Sequence, residues 1–483
     1  MKFKIIVAVL LVSLKCTAQL APEWYNYPGG TSIATDANIN VYTIDWDMNP
    51  AGDISITKRD SAGSILWLAN YDNQDVTRHE VATWVETDYA ENIIVTGTIR
   101  SGFSNPVIAA SLVMKFDSAG VMLWRNVFES TFEGTSTRKC IIDKNNNIYI
   151  LGTGIGTTGT VTRVKKYDSN GNAIWSYLDT DGIGVPTNFK FGQDSSILIS
   201  GRGLLGSING YAKIDTAGNK IWSLPGINSL TPGDIAGDTN GNSFIVNGEY
   251  SSFSPGTIVQ KLNATGGLVW SDTCVITGYR VETGTDQLPV LCGMPPSGSG
   301  GAAFVKYDAN GSILWQNLDA DGPQFNLLLH AQLKLDQNNA AYLAAGTLTG
   351  MAICKVNSNG GSEWLGIAPG SYANGFSIGA DNNIYVVGGT TAKFGNIATK
   401  IVEASQSNIN IYPNPFSDKI TITSDYNMGN VLIIITDLKG RLIKKQQLEN
   451  TEMSFLMTDL SQGTYLLQVT SEKTIITKKI VKM

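Results

Sequence analysis

Short apolar runs alternate with clusters of Gly, Asn, Asp, Ser and Thr along most of the chain. Runs of this length, bounded by turn residues, read as β-strands. One stretch shows the unit. Asn188 to Gly192, Ser196 to Ser200, Gly210 to Asp215 and Asn219 to Ser223 are four such runs, separated by turn signals. The unit recurs. KYDSNGNAIW, starting at Lys166, has counterparts starting at Lys58, Lys115, Lys213, Lys261, Lys306 and Lys355, spaced 45 to 57 residues apart. In each copy Asp or Asn stands two after the lysine, Gly five after and Trp nine after.

A second element alternates with the first: an Asp followed by a short apolar strand, as in DANINVYTI from Asp36 and DKNNNIYILG from Asp143. It returns from Asp88, Asp194, Asp238, Asp286, Asp336 and Asp381. Four strands per repeat of this length predict the blade of a β-propeller. A lone four-stranded sheet leaves both faces bare, so each must stack on its neighbours.

The copy from Asp381 has a third strand, placed at Ala398 to Glu403 with Lys400 as the repeat lysine, but no fourth strand and no Trp. The segment APEWYNY, from Ala21, is a Trp strand with no strands before it. Joining the two ends predicts an all-β, eight-bladed propeller closed by an N-terminal strand. A seven-bladed ring with a loose N-terminus is the alternative. On the eight-bladed reading, Trp24, Trp67, Trp124, Trp175, Trp222, Trp270, Trp315 and Trp364 hold equivalent places as the inter-blade core.

These two elements, over Pro22 to Glu403, resemble the secreted bacterial β-propeller (SBBP) repeat. They are also similar to the tryptophan-docking repeat of quinoprotein propellers. The resemblance implies a fold and says little about activity.

Other features set context. Lys2 and Lys4 precede an apolar run from Ile5 to Leu14, and Thr17-Ala18-Gln19 offers a small-residue cleavage site. Residues 1–18 therefore read as a secretory signal, with lipid attachment at Cys16 as the alternative. The sequence predicts no transmembrane helix. Cys140, Cys274, Cys292 and Cys354 lack zinc spacing. Export permits a disulfide, and Cys274 with Cys292 is the close pair. Residues 19–403 hold 23 Lys and Arg against 34 Asp and Glu, which argues against nucleic acid as a partner.

After a short polar linker at 404–408, residues 409–483 carry a further set of short strands, read as a small immunoglobulin-like β-sandwich. Tyr412-Pro413-Asn414-Pro415, the Asp437 to Gly440 turn, the strand with Gly463 and Tyr465, and the terminal Lys478-Lys479-Ile480-Val481-Lys482-Met483 stand in this order. Together they resemble the type A C-terminal sorting domain of the type IX secretion system. That resemblance implies transfer across the outer membrane, with the secretion machinery and a sortase as partners. An ordinary immunoglobulin-like module is the alternative.

Candidate chemistry is sparse. DSNGN within the opening repeat imitates part of a calcium loop. It supplies one carboxylate where calcium takes six to eight oxygens, and Asp with Gly three later is type I turn chemistry. Asp179 with Asp181, and Asp319 with Asp321, follow the repeat Trp in LDTDG and LDADG. They are candidates for calcium or for sugar hydroxyls, with a solvated acidic turn as the alternative. Gly201 to Gly206 matches GxGxxG but is followed by a strand, not the helix a dinucleotide needs. The two histidines, His79 and His330, form no catalytic motif, and His79 reads as part of a long polar loop. The sequence thus predicts an exported binding or adhesion protein for glycan or protein ligands, with no cofactor. A propeller enzyme, polysaccharide-acting or quinoprotein-like, and a purely structural surface protein are the alternatives.

Overall fold

A computed structural model of the protein describes residues 18–395 and 409–483, apart from the segments 47–52, 73–77, 102–106, 130–135, 157–158, 180–181, 203–207, 229–232, 252–253, 297–300, 321–324, 327–330, 348–349, 371, 425–429, 438–441, 450–451, 459 and 471–474. Residues 1–17 of the predicted signal segment and the predicted linker lie outside the described residues. The chain divides into two compact units, Met1–Asn396 and Ile397–Met483. Among the described residues every regular element is a strand.

Among the described residues the first unit forms eight sheets, antiparallel but for one parallel edge strand. Blades 1 to 6 each take four consecutive strands in sequence order, from Ser32–Thr35 in blade 1 to Ile313–Ala320 in blade 6. Blade 7 is built on Gln332–Leu335, Ala341–Thr347, Met351–Val356 and Ser362–Ala368. The short strand Ala18–Leu20 adds to its outer edge in parallel, Ala18 opposite Trp364. Blade 8 takes Gly375–Ile378, Ile384–Val387 and Thr391–Phe394 from one end of the unit and Trp24–Asn26 from the other.

Register explains the repeat. The repeat lysine on the third strand stands opposite the repeat tryptophan on the fourth, as in Lys58 with Trp67, Lys166 with Trp175 and Lys306 with Trp315. In blade 8 the residue opposite Trp24 is Lys393. This corrects the expected third strand: Lys393 fills the lysine place, not Lys400, because the second and third strands are joined by a tight turn at Gly388 to Thr390. Residues 396–408 are outside the described residues.

Each tryptophan works on the next blade. Trp124 Nε1 donates to Ser169 O at 3.2 Å, and Trp175 Nε1 donates to Thr216 O at 3.1 Å. Lys115 and Lys166 donate to the same two carbonyls. The ring then lies against the turn glycine: a Cβ on Gly171 would come within 2.8 Å of Trp124 Cδ2. Gly171 also adopts φ 84°, where an L side chain is strained. The glycine therefore meets two demands, backbone twist and room for an indole. Trp222 and Trp364 differ: neither Nε1 finds an acceptor. For Trp364, the third and fourth strands of blade 8 come from opposite ends of the unit and no hairpin joins them. Trp222 and Trp364 are buried, and the other six are half-buried.

The first strands of neighbouring blades are tied side by side. Thr87 Oγ1 donates to Thr35 O, Lys139 Nζ to Asn188 Oδ1, Asn188 Nδ2 to Asp234 Oδ1, and Arg280 Nε to Ala331 O. Gln332 Nε2 donates to Asn374 O, and the Thr35 and Ser377 hydroxyls meet at 2.8 Å.

Cys140, Cys274, Cys292 and Cys354 are buried free thiols. Cys274 and Cys292 fall in different core clusters, so the expected candidate disulfide is absent. His79 is not in a loop: it lies in the first strand of blade 2, Arg78–Thr87, and is buried. Arg78 and Glu80 beside it belong to the same strand, where sequence alone reads a long polar loop.

The second unit has a three-stranded sheet, with Lys419–Ser424 between Ile409–Tyr412 and Glu452–Leu456, and a four-stranded sheet centred on Asn430–Asp437 and Gly463–Thr470. Ile420 and Ile422 of one sheet share a core with Ile433, Ile435, Leu467 and Val469 of the other.

Candidate functional site

The repeat turns are structurally saturated. Asp168 Oδ1 accepts from the backbone N–H groups of Asn170 and Asn172, and Oδ2 accepts from Asn172 Nδ2 at 2.8 Å. The Asn172 side chain leads the causes that hold Asp168 below the usual carboxylate range. The second element uses its Asp likewise: Asp36 accepts from Asn40 N, Asn40 Nδ2 and the Tyr42 hydroxyl. These acids shape turns.

Of the acids singled out for calcium, Asp179 is buried and caps its own loop. Its Oδ2 accepts from Ile183 N at 2.7 Å and its Oδ1 from the Tyr177 hydroxyl at 3.3 Å. Asp181, Asp321 and the side chain of Asp319 lie outside the described residues. Three other acids, Asp53, Asp72 and Glu80, bring one carboxylate oxygen each within 4.8 Å of one another. They come from three strands' ends and no sequence spacing announces them. Gly201 and Arg202 end a strand and Ile208–Ile214 is the next strand, so no helix follows the GxGxxG stretch.

Charge instead gathers where the first strands meet. Lys190, in blade 4, donates to Glu282 Oε1 at 2.7 Å, to Val281 O at 3.0 Å and to Asp234 Oδ2 at 3.4 Å. It thereby reaches past blade 5 to blade 6. Asp234 is fully buried and further accepts from Asn188 Nδ2 and from the backbone N–H groups of Ile235 and Val281. Burial opposes its ionisation, but Lys190, Arg280 and these donors outweigh it and hold Asp234 below the usual carboxylate range. Burial raises Glu282, with Asp234 adding and Lys190 opposing. Burial acts to lower Lys190, yet the two acids hold it above its ordinary value.

Beyond this trio stand Glu86 in blade 2, Lys139 in blade 3 and Lys334 in blade 7. Burial raises Glu86, and Lys334 is the leading charge opposing the rise. Burial first and the charge of Lys190 second bring Lys139 down to about 8. Burial lowers Lys334, and Glu86 and Glu282 oppose it. Groups from blades 2, 3, 4, 6 and 7 therefore sense one another's charge. Lys139 Nζ lies 4.9 Å from the Trp84 ring centroid and Lys334 Nζ 5.2 Å from that of Phe376, within cation–π range. A cavity of about 330 Å³ opens here, lined by Glu282, Thr283, Lys334, Leu335, Ser377 and Ile378. None of these residues belongs to a motif. They sit at corresponding places on the first strands, the part of each repeat that varies most.

In the C-terminal unit two separated motifs meet. Asn414 Nδ2 donates to Lys479 O at 2.8 Å, and Asn414 Oδ1 accepts from Val481 N at 2.9 Å. Phe416 N donates to Val481 O, and Met483 N donates to Phe416 O. Lys482 pairs with Asp418 at 2.9 Å. Tyr412, Pro413 and Pro415 are exposed beside this clamp, as are Lys478 and Lys479. Tyr465 stands opposite Asp437 and its hydroxyl donates to Ser461 O, next to the exposed Gly463. Gly440 and the Asp437 side chain are outside the described residues. Asn414→Ala removes two hydrogen bonds to the terminal strand. It should lower the stability of this unit by about 1–2 kcal/mol and increase amide hydrogen exchange at Val481 while leaving exchange in the blades unchanged.

Residues 410–483 match a family model described as a secretion system C-terminal sorting domain. No curated protein matches the chain. Among solved structures, Sqt1 from Chaetomium thermophilum is similar at 9% identity and a TM-score of 0.50, over 78% of this chain and 98% of that one. The WD40 beta propeller domain of Doa1 is 8% identical, with a TM-score of 0.39 over 78% and 95%. PorZ, an essential bacterial surface component of the type-IX secretion system of Porphyromonas gingivalis, is 11% identical, with a TM-score of 0.30 over 94% and 81%. The C-terminal unit is a type IX sorting domain on a β-propeller, and the chain is exported to the cell surface or beyond. No helix among the described residues is long and apolar enough to cross a membrane.

Proposed function

We propose that the eight sheets close into one ring of SBBP type, and that this ring binds an extracellular glycan in its central cavity after type IX export. The sorting unit engages the secretion machinery and is the substrate of a sortase; an immunoglobulin-like sandwich suits its two sheets. The observation that carries the binding reading is the cavity among Glu282, Thr283, Lys334 and Ser377, whose volume of about 330 Å³ lies at the lower end of ligand sites. Its lining offers hydroxyls, an amine and a carboxylate alongside Leu335 and Ile378, which suits a sugar ring with polar edges.

Catalysis is the weaker reading. Hydrolysis of a glycosidic bond needs two carboxyl groups free to face the bond. Asp234 and Glu282 share Lys190, and Asp234 is buried with its oxygens engaged. Calcium at Asp179 and Asp319 stays secondary, since Asp179 holds its own loop.

The test is a glycan array probed with the full mature chain, with and without calcium, alongside surface labelling of cells expressing the chain with and without 410–483. Saccharide capture, and loss of surface label on deletion, are the expected results. Capture of no saccharide would remove the glycan assignment.

A further inference from the structure

The cavity's charge balance says more about the ligand, on the premise that the ring binds a saccharide there. Lys190 and Arg280 face Asp234 and Glu282, two cations against two acids, and these four are mutually close. Lys139 and Lys334 then remain, with Glu86 and the already shared Glu282 as the acids that act on them. Among the described residues, neither Lys139, Lys334 nor Glu86 forms an ion pair. Lys139 donates to a neutral amide oxygen, Asn188 Oδ1, and Lys334 rests on Phe376. A surplus of positive charge therefore lines a site within a propeller whose whole is acidic.

Two partly desolvated ammonium groups, without carboxylate partners of their own, cost free energy that an anion can offset. We propose that the central cavity selects an anionic saccharide, with its acidic group held by Lys334 and drawn by the nearby charge of Lys139, and with its hydroxyls held by Thr283 and Ser377. A uronate carboxylate and a sugar phosphate share the required chemistry. The Lys190 trio has a different part. It fixes the wall on which Thr283 and Glu282 stand, and Gln193 Nε2 secures the same strand by donating to Thr283 O at 3.0 Å.

Calorimetric titration of the full mature chain tests this, using uronate oligosaccharides, neutral oligosaccharides of equal length, and a phosphorylated sugar. Uronate or phosphate sugars are expected to bind and neutral ones not, and the relative affinity of the first two identifies the anion. Lys334→Gln should weaken binding about tenfold or more, as loss of a charged hydrogen bond does, with Lys334→Arg retaining it. Lys139→Gln should act in the same direction. Melting temperatures of the variants control for folding. Binding in the wild type should weaken as pH rises above about 8, where Lys139 loses its proton. Glu86, Lys190, Glu282 and Lys334 also act on Lys139. Equal binding of neutral and acidic sugars, or unchanged acidic-sugar affinity in both Gln variants, would overturn the anionic assignment and leave the glycan reading intact. Binding of no sugar at all would remove both.

Discussion

Lys190→Met is expected to destabilise the propeller by about 3–5 kcal/mol, the range for removing one partner of a buried ion pair. The reason is what it leaves behind. Asp234 is fully buried and Glu282 half-buried, and both lean on the Lys190 ammonium at 3.4 and 2.7 Å. Without it two negative charges face each other, with Arg280 as the leading remaining cation for Asp234 and Lys139 acting on Glu282. The loss should depend on pH in a defined direction. The Asp234 pKa in the folded protein lies below its unfolded value, so its contribution is present at neutral pH and fades as pH falls through the folded value. Glu282 is shifted the other way, so its ionisation costs stability above the unfolded value and acid relieves that cost. In Lys190→Met both carboxyls should shift up, and protonating them removes the repulsion. Urea denaturation at pH 7 and pH 4 should therefore show a large difference from wild type at pH 7 and a smaller one at pH 4. An equal deficit at both would mean that the lysine acts through its alkyl packing.

Much of this architecture is written in the repeat. Lys166, Asp168, Gly171 and Trp175 each answer to a local demand: a partner across the hairpin, a turn acceptor, a left-handed backbone, and an indole that docks on the next blade. Local demands recur in every copy, so periodicity exposes them. The last blade shows the limit. The place given to Lys400 belongs to Lys393, because a three-residue turn was not distinguishable from a longer loop without the strand opposite. The strand position of His79 escapes the sequence for a similar reason. Polar residues on a long first strand carry no alternation to mark them. The cavity was not legible at all. Glu86, Lys139, Lys190, Asp234, Glu282 and Lys334 are scattered over 249 residues, and what unites them is position on the first strands, where the copies differ. The same holds for Asn414, conspicuous within its motif, whose partners Lys479 and Val481 appear only once the terminal strand is in place.

Trp24→Ala should lower stability by about 2–3 kcal/mol, somewhat less than for a fully buried tryptophan, and should do so across the whole propeller. Trp24 is the fourth-strand tryptophan of blade 8, opposite Lys393, and its ring lies 6.2 Å from Tyr385. Its Nε1 donates to Ser61 O at 3.1 Å, and Gly63 would meet the ring if it carried a Cβ. Asn26 Nδ2 adds a bond to Gly63 O, and Gly30 N donates to Gly388 O. One three-residue strand thus joins the end of the unit to blade 1 by the device used between interior blades. If the ring closes through it, the ends cannot fray independently, and loss of Trp24 is felt by every blade. Trp270→Ala, in blade 5, is the matched comparison, since Trp270 makes the same bond to Ala309 O at 3.1 Å from the interior of the chain. The two variants should melt cooperatively and within a few degrees of each other. A Trp24→Ala protein that melts like wild type, beside a clearly weakened Trp270→Ala protein, would mean that seven blades carry the stability and the eighth is an appendage.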